Sequence, residues 1–189
     1  MLAFCILCSL SCSNDLEVLS IVRKKTVSLS FQILSTGEFY SLDTDNAKII
    51  IGAPEWRMTP DNPAEYKFYK RVMLFVSGQD GAKNISLSIA FSVEDESQMI
   101  GSYRWLGTVS NPNSLPGKTI LHAELILQQE NAAPQAFKWD MCTSDQTIAE
   151  LVVERQSTTE KIVAGTFRVF LCNNDGSVSL NGDFKDIPY

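Results

Sequence analysis

Histidine occurs once in the 189 residues, at His122. It is the first place to look for acid–base chemistry, because imidazole titrates near neutrality. The alternating pattern around it sets Glu124 on the same strand face, so an acid partner is at hand. A nucleophilic triad also needs a serine beside the imidazole, commonly presented on a Gly-x-Ser-x-Gly elbow. No such segment occurs in the chain, so His122 is expected on a strand surface rather than in a triad. Zinc is disfavoured on similar grounds. One histidine and two far-separated cysteines do not make a tetrahedral ligand set by spacing.

Carboxylates cluster at Asp43-Thr44-Asp45-Asn46 and at Glu94-Asp95-Glu96. A calcium loop wants oxygen ligands at alternating positions, a turn glycine and a later bidentate glutamate. The first cluster starts that way, but Ala47 stands where the third ligand belongs and the sixth position is not a glycine. The second is a plain charge run. Solvated turns account for both. A glycoside hydrolase needs two carboxylates across a cleft, and 22 acidic residues supply such a pair in almost any fold. Hence no catalytic residue, metal ligand or cofactor is assigned, and the chain is read as a non-enzyme. Aromatic rings are the remaining candidates for a binding surface, since exposed rings stack on sugars and anchor protein partners. Trp56, Tyr103 and Trp105 lie in or near polar segments. Trp56, in a proline-bearing stretch, is the one most expected outside.

The cysteines are unevenly placed. Cys5, Cys8 and Cys12 fall in the first twelve residues, and Cys142 and Cys172 in the body. In an oxidising compartment the body pair could form one disulfide; two separate buried thiols are the alternative. Residues Met1 to Leu10 read MLAFCILCSL, apolar and uncharged throughout. That run falls short of the roughly 20 apolar residues of a membrane-spanning helix and fits the core of a secretory signal. Small residues follow in Ser9-Leu10-Ser11-Cys12, and the chain turns polar at Ser13. The segment has the form of a bacterial lipobox, with cleavage before Cys12 and lipid on its thiol. The organisation expected is a signal peptide over residues 1–11, a tether over 12–25, and one β domain over 26–189. The location expected is the cell envelope, at the outer membrane or cell surface, held to the membrane by the N-terminal lipid. Net charge is −6, so the chain lacks the cationic surface that drives nucleic-acid binding.

Period-2 alternation dominates the body, which is the signal of half-buried strands. Val27, Leu29, Phe31 and Ile33 alternate with Ser28, Ser30 and Gln32. Ile85, Leu87, Ile89 and Phe91 repeat the pattern, as do Leu121, Ala123, Leu125 and Leu127. Phe137, Trp139 and Met141 form a shorter version. Val163, Phe167, Val169 and Leu171 face one way while Thr166 and Arg168 face the other, and Val178, Leu180 and Phe184 close the series. Residues Leu151-Val152-Val153 favour a strand over the competing helix within 147–156. Asp80-Gly81 marks one turn. Asn173-Asn174-Asp175-Gly176 marks another, with Asp-Gly expected to supply positive φ. Residues 54–63, with three prolines, read as the longest irregular stretch. Roughly nine to eleven short strands at this spacing predict an all-β fold, a sandwich or flattened antiparallel barrel.

The lipobox-like start, Ser35-Thr36-Gly37-Glu38-Phe39, Gly165-Thr166-Phe167 and Val178-Ser179-Leu180-Asn181-Gly182-Asp183-Phe184 together resemble small lipoproteins of unknown function from Bacteroidetes-type bacteria. The resemblance implies an exported β fold closed by a final hairpin, and it carries no catalytic residue. The function expected is non-enzymatic binding of a glycan or protein partner through loops at one end of the domain. The alternatives are an assembly role through edge-strand pairing, and a hydrolase with an unrecognised carboxylate pair.

Overall fold

The computed structural model describes residues 24–58, 66–104, 118–142 and 149–189. They form eleven strands: β1 (Thr26–Ile33), β2 (Phe39–Thr44), β3 (Ala47–Met58), β4 (Tyr66–Asp80), β5 (Lys83–Val93), β6 (Gly101–Arg104), β7 (Ile120–Gln129), β8 (Gln135–Lys138), β9 (Ala149–Ser157), β10 (Ile162–Asn173) and β11 (Gly176–Pro188). The expected all-β architecture and strand number are observed. One antiparallel sheet runs in the order β2-β1-β11-β10-β8-β7-β5-β4-β3, with β9 added to β10 and β6 to β9. Strand β10 is the branch point. Its Ile162–Val169 part pairs with β9, whereas Cys172 pairs with Lys138 of β8. The sheet therefore has two arms, β2-β1-β11-β10-β9-β6 and β8-β7-β5-β4-β3. It curls into a half-barrel around one core.

The core follows from the alternation. Val27, Leu29, Phe31 and Ile33 of β1 are buried together with Val72, Leu74 and Val76 of β4, Leu87 and Ile89 of β5, Leu125 of β7 and Leu180 of β11. Each such side chain contributes roughly 1.5–3 kcal/mol on burial. Two glycine–phenylalanine pairs shape the last hairpin. Gly165 stands opposite Phe184, and Phe167 opposite Gly182. All four positions face the core, and the two rings stack at 6.5 Å between centroids. A Cβ on Gly165 would overlap the Val152 carbonyl and one on Gly182 would overlap the Phe167 ring. The missing side chains thus make room for rings to lie over bare backbone.

The open side of the half-barrel is held by a polar seam between β2 and the β4–β5 hairpin. Ser41 donates its backbone N–H to Asp80 Oδ2 at 3.1 Å. Thr44 Oγ1 donates to the Ser77 carbonyl at 3.0 Å, and Asn46 Nδ2 to Ser77 Oγ at 2.6 Å. Lys83 bonds the Tyr40 hydroxyl, which donates to Glu38 Oε2 at 3.0 Å. The Tyr40 hydroxyl and then the Lys83 charge hold the Glu38 carboxyl below the usual glutamate range.

Three local expectations are corrected. The stretch after Pro54 is not irregular as far as Met58: it continues β3, with Trp56 opposite Phe68. Proline is admitted because β3 ends the sheet and its register shifts between Ile51 and Pro54, the two settings in which a strand tolerates a missing N–H. Trp139 and Met141 lie in a 3-10 turn (Trp139–Met141) rather than on a strand. The β10–β11 hairpin forms, but neither Asp175 nor Gly176 has a positive φ. Its turn is Asn174-Asp175, and the Asp175 N–H donates to Asn173 Oδ1 at 2.9 Å, a side-chain-capped turn that needs no left-handed residue.

Candidate binding site on the outer sheet face

Register aligns the outward side chains of the first arm into two rows. One runs Ser41, Ser30, Asn181, Arg168, Glu150, Arg104 from β2 to β6. The next runs Asp43, Ser28, Asp183, Thr166, Val152, Ser102. Between them lies a shallow trough of about 540 Å³ spanning β2, β1, β11, β10 and β9. That volume is within the roughly 300–1,000 Å³ common for small-molecule sites. Short side chains form the floor: three serines, a threonine and Gly182.

The polar groups of the trough are unequally engaged. Glu150 Oε1 accepts from Arg104 Nε at 3.0 Å and from Ser102 Oγ at 3.2 Å, and Arg104 Nη2 stands 3.0 Å from the same oxygen. Arg168, directly opposite Glu150, has no hydrogen bond or ion pair among the described residues, and neither does the carboxylate of Asp183. The side chains of Asn181, Ser30 and Ser41 are likewise unbonded among the described residues. The trough lining therefore offers the Arg168 guanidinium, the Asp183 carboxylate, the Asn181 amide and several hydroxyls to a ligand. On the adjacent row, the outward ring of Phe39 beside Ser41 is 66% exposed.

The residues singled out by sequence are distributed differently. Tyr103 is not a surface ring but a core residue with no solvent exposure. It packs on Phe91 at 4.6 Å between centroids and donates its hydroxyl to the Met99 carbonyl at 2.6 Å. Burial pushes its phenol well above the usual tyrosine range. Trp56 lies on a strand rather than in a loop; its side chain, and the whole of Trp105 and Cys12, fall outside the described residues. Cys142 and Cys172 are joined in a disulfide with 5.1 Å between Cα atoms. His122 Nε2 lies 3.8 Å from Glu124 Oε2 on the outer face of the second arm, where Lys138 Nζ reaches the other Glu124 oxygen at 3.3 Å. Ala90 stands across from His122 and Ser88 across from Glu124, and among the described residues no hydrogen bond joins Ser88 to the imidazole.

Among the described residues no group of histidine, cysteine, aspartate and glutamate is arranged to hold a metal ion, and no helix is long and apolar enough to cross a membrane. Thr44 and Asn46 are spent on the seam. Asp95 caps its own turn by accepting from the Ser97 N–H at 2.8 Å, and Glu96 pairs with Lys70 at 2.8 Å. A second hollow, of about 470 Å³, opens at the loop end between the β7–β8 and β10–β11 connections. Loops of this kind were the expected binding element, but two of its side chains are committed: Asn173 to its own turn and Lys83 to the seam. Comparison of the chain with protein-family models, with curated proteins and with solved structures finds no match.

Proposed function

We propose that the chain is an exported envelope protein, lipid-anchored through Cys12, that binds a glycan without transforming it. The binding element is the outer face of the first arm rather than the loops. The observation that carries this reading is the trough, where Arg168 and Asp183 stand without partners among aligned hydroxyl and amide groups. Donors and acceptors of both charges side by side suit vicinal hydroxyls, which give and take hydrogen bonds at once. Phe39 adds an exposed ring next to the trough. The Cys142–Cys172 bond supports export, since disulfides persist in oxidising compartments.

Glycan-array and calorimetric binding of the wild type, Arg168→Ala and Asp183→Asn would test the site. Losing a charged hydrogen bond commonly costs about 1.5–3 kcal/mol, so at least tenfold weaker binding is expected in each variant. A blank array, or binding untouched by both changes, would sink the proposal. The anchor is tested separately: a lipid mass adduct in the membrane fraction should vanish in Cys12→Ala.

A further inference from the structure

Resting on that reading, we propose that the ligand is a neutral, linear polysaccharide lying across the strands, with one pyranose ring over each strand. The first row of the trough presents one polar side chain per strand, in the order Ser41, Ser30, Asn181, Arg168, Glu150. Neighbouring strands lie about 4.8 Å apart, which is close to the length of one pyranose unit in an extended chain. The spacing of the protein's groups therefore matches the repeat of the ligand's hydroxyls. Five strands line the trough, so four spacings of about 4.8 Å give a footprint of about 19 Å, the span of four to five sugar units.

Charge fixes the remaining property. Among the described residues the guanidinium of Arg168 and the carboxylate of Asp183 are both unpaired, and they occupy adjacent rows of the same trough. An anionic chain would meet Asp183 and a cationic chain Arg168, whereas a neutral one uses both. The ends of the trough carry Ser41 and Glu150, and Glu150 is drawn toward Arg104. The row continues past Glu150 to Arg104 on β6, so a long chain is gripped along its length rather than by one end. Sheet twist, about 20–25° per strand, asks for a chain that coils gently instead of a flat ribbon.

The test uses the full mature chain and length ladders of one to eight units of β-1,4-glucan, β-1,4-mannan, β-1,3-glucan and α-1,4-glucan, with polyuronate and chitosan ladders as charged controls. In at least one neutral ladder, affinity is expected to rise tenfold or more from dimer to pentamer and then level off. Ser41→Tyr should block the β2 end, moving the plateau one unit shorter. If dimers bind as tightly as pentamers, the linear assignment is overturned and the glycan-binding site stands. If only the charged ladders bind, neutrality is overturned. Absence of binding to every ladder and every arrayed glycan overturns both proposals together.

Discussion

Arg168 is available because Arg104 is not. Glu150 lies opposite both arginines in register, and its Oε1 is taken by Arg104 and Ser102. Removing Arg104 would leave Glu150 free to pair with Arg168 across the strands. Arg104→Ala should therefore weaken the proposed glycan binding severalfold although Arg104 is outside the trough, and Arg104→Ala combined with Glu150→Gln should recover it; calorimetry on the two variants checks this. Tyr103 makes a different prediction. Its phenol is buried and titrates above the unfolded value of 10.0, so the stability it contributes is complete below about pH 10. That stability is lost as pH rises further, because the unfolded chain releases the proton first. Tyr103→Phe should flatten the alkaline limb of the stability curve, and it should cost about 1 kcal/mol at neutral pH for the lost bond to Met99. Sequence could not separate Tyr103 from Phe39. Strand β6 has four residues and a single inward ring, too short for alternation to announce a buried side. The exposure of Phe39 depends on β2 lying at the rim of the arm, which is a tertiary fact.

Strands themselves were legible where alternation ran long. β1, β5, β7, β10 and β11 fall where their apolar periods put them, and the described part of the ambiguous 147–156 tract, from Ala149 on, is strand β9. What local pattern could not give was register. Ser28 and Ser30, Thr166 and Arg168, Asn181 and Asp183 all read as wet faces of separate strands, yet only pairing brings them into two rows. The continuation of β3 past Pro54 was hidden for a related reason, since proline is tolerated there only because the strand is at the edge. The closing hairpin shows how sequence spacing becomes geometry. Gly165-x-Phe167 and Gly182-x-Phe184 pair head to tail, each ring over the other strand's glycine. Either glycine replaced by alanine drives a methyl into backbone or ring, and overpacking of this kind costs about 1–3 kcal/mol. Gly165→Ala should be the worse, because its methyl would run deeper into the Val152 carbonyl than the Gly182 methyl would into the Ser28 carbonyl, and neither carbonyl can swing away. Urea midpoints for Gly165→Ala and Gly182→Ala give the comparison.

At the scale of the whole molecule, the two arms meet through little backbone. Cys172↔Lys138 is the one registered pair between β10 and β8, and an isolated bridge joins Arg104 to Thr119. The disulfide sits at the first of these junctions and closes a loop with a sequence separation of 30. Chain-entropy arguments put that at about 3–4 kcal/mol. The Cys142→Ser, Cys172→Ser double variant should lose about that much in denaturant unfolding, with hydrogen exchange rising first in β8 and the Cys172 end of β10. Equal protection in oxidised and reduced protein would mean that the arms hold without it. The arrangement of the first arm also has a mechanical consequence. Strand β1 is flanked by β11 and β2 along nearly its whole length, and the chain enters it at Thr26. A pull applied from residue 24 runs along the strand axis, so both ladders are loaded in shear and must yield together rather than unzip bond by bond. A domain built this way resists unfolding under a pull on its N-terminal end far better than its equilibrium stability alone would suggest.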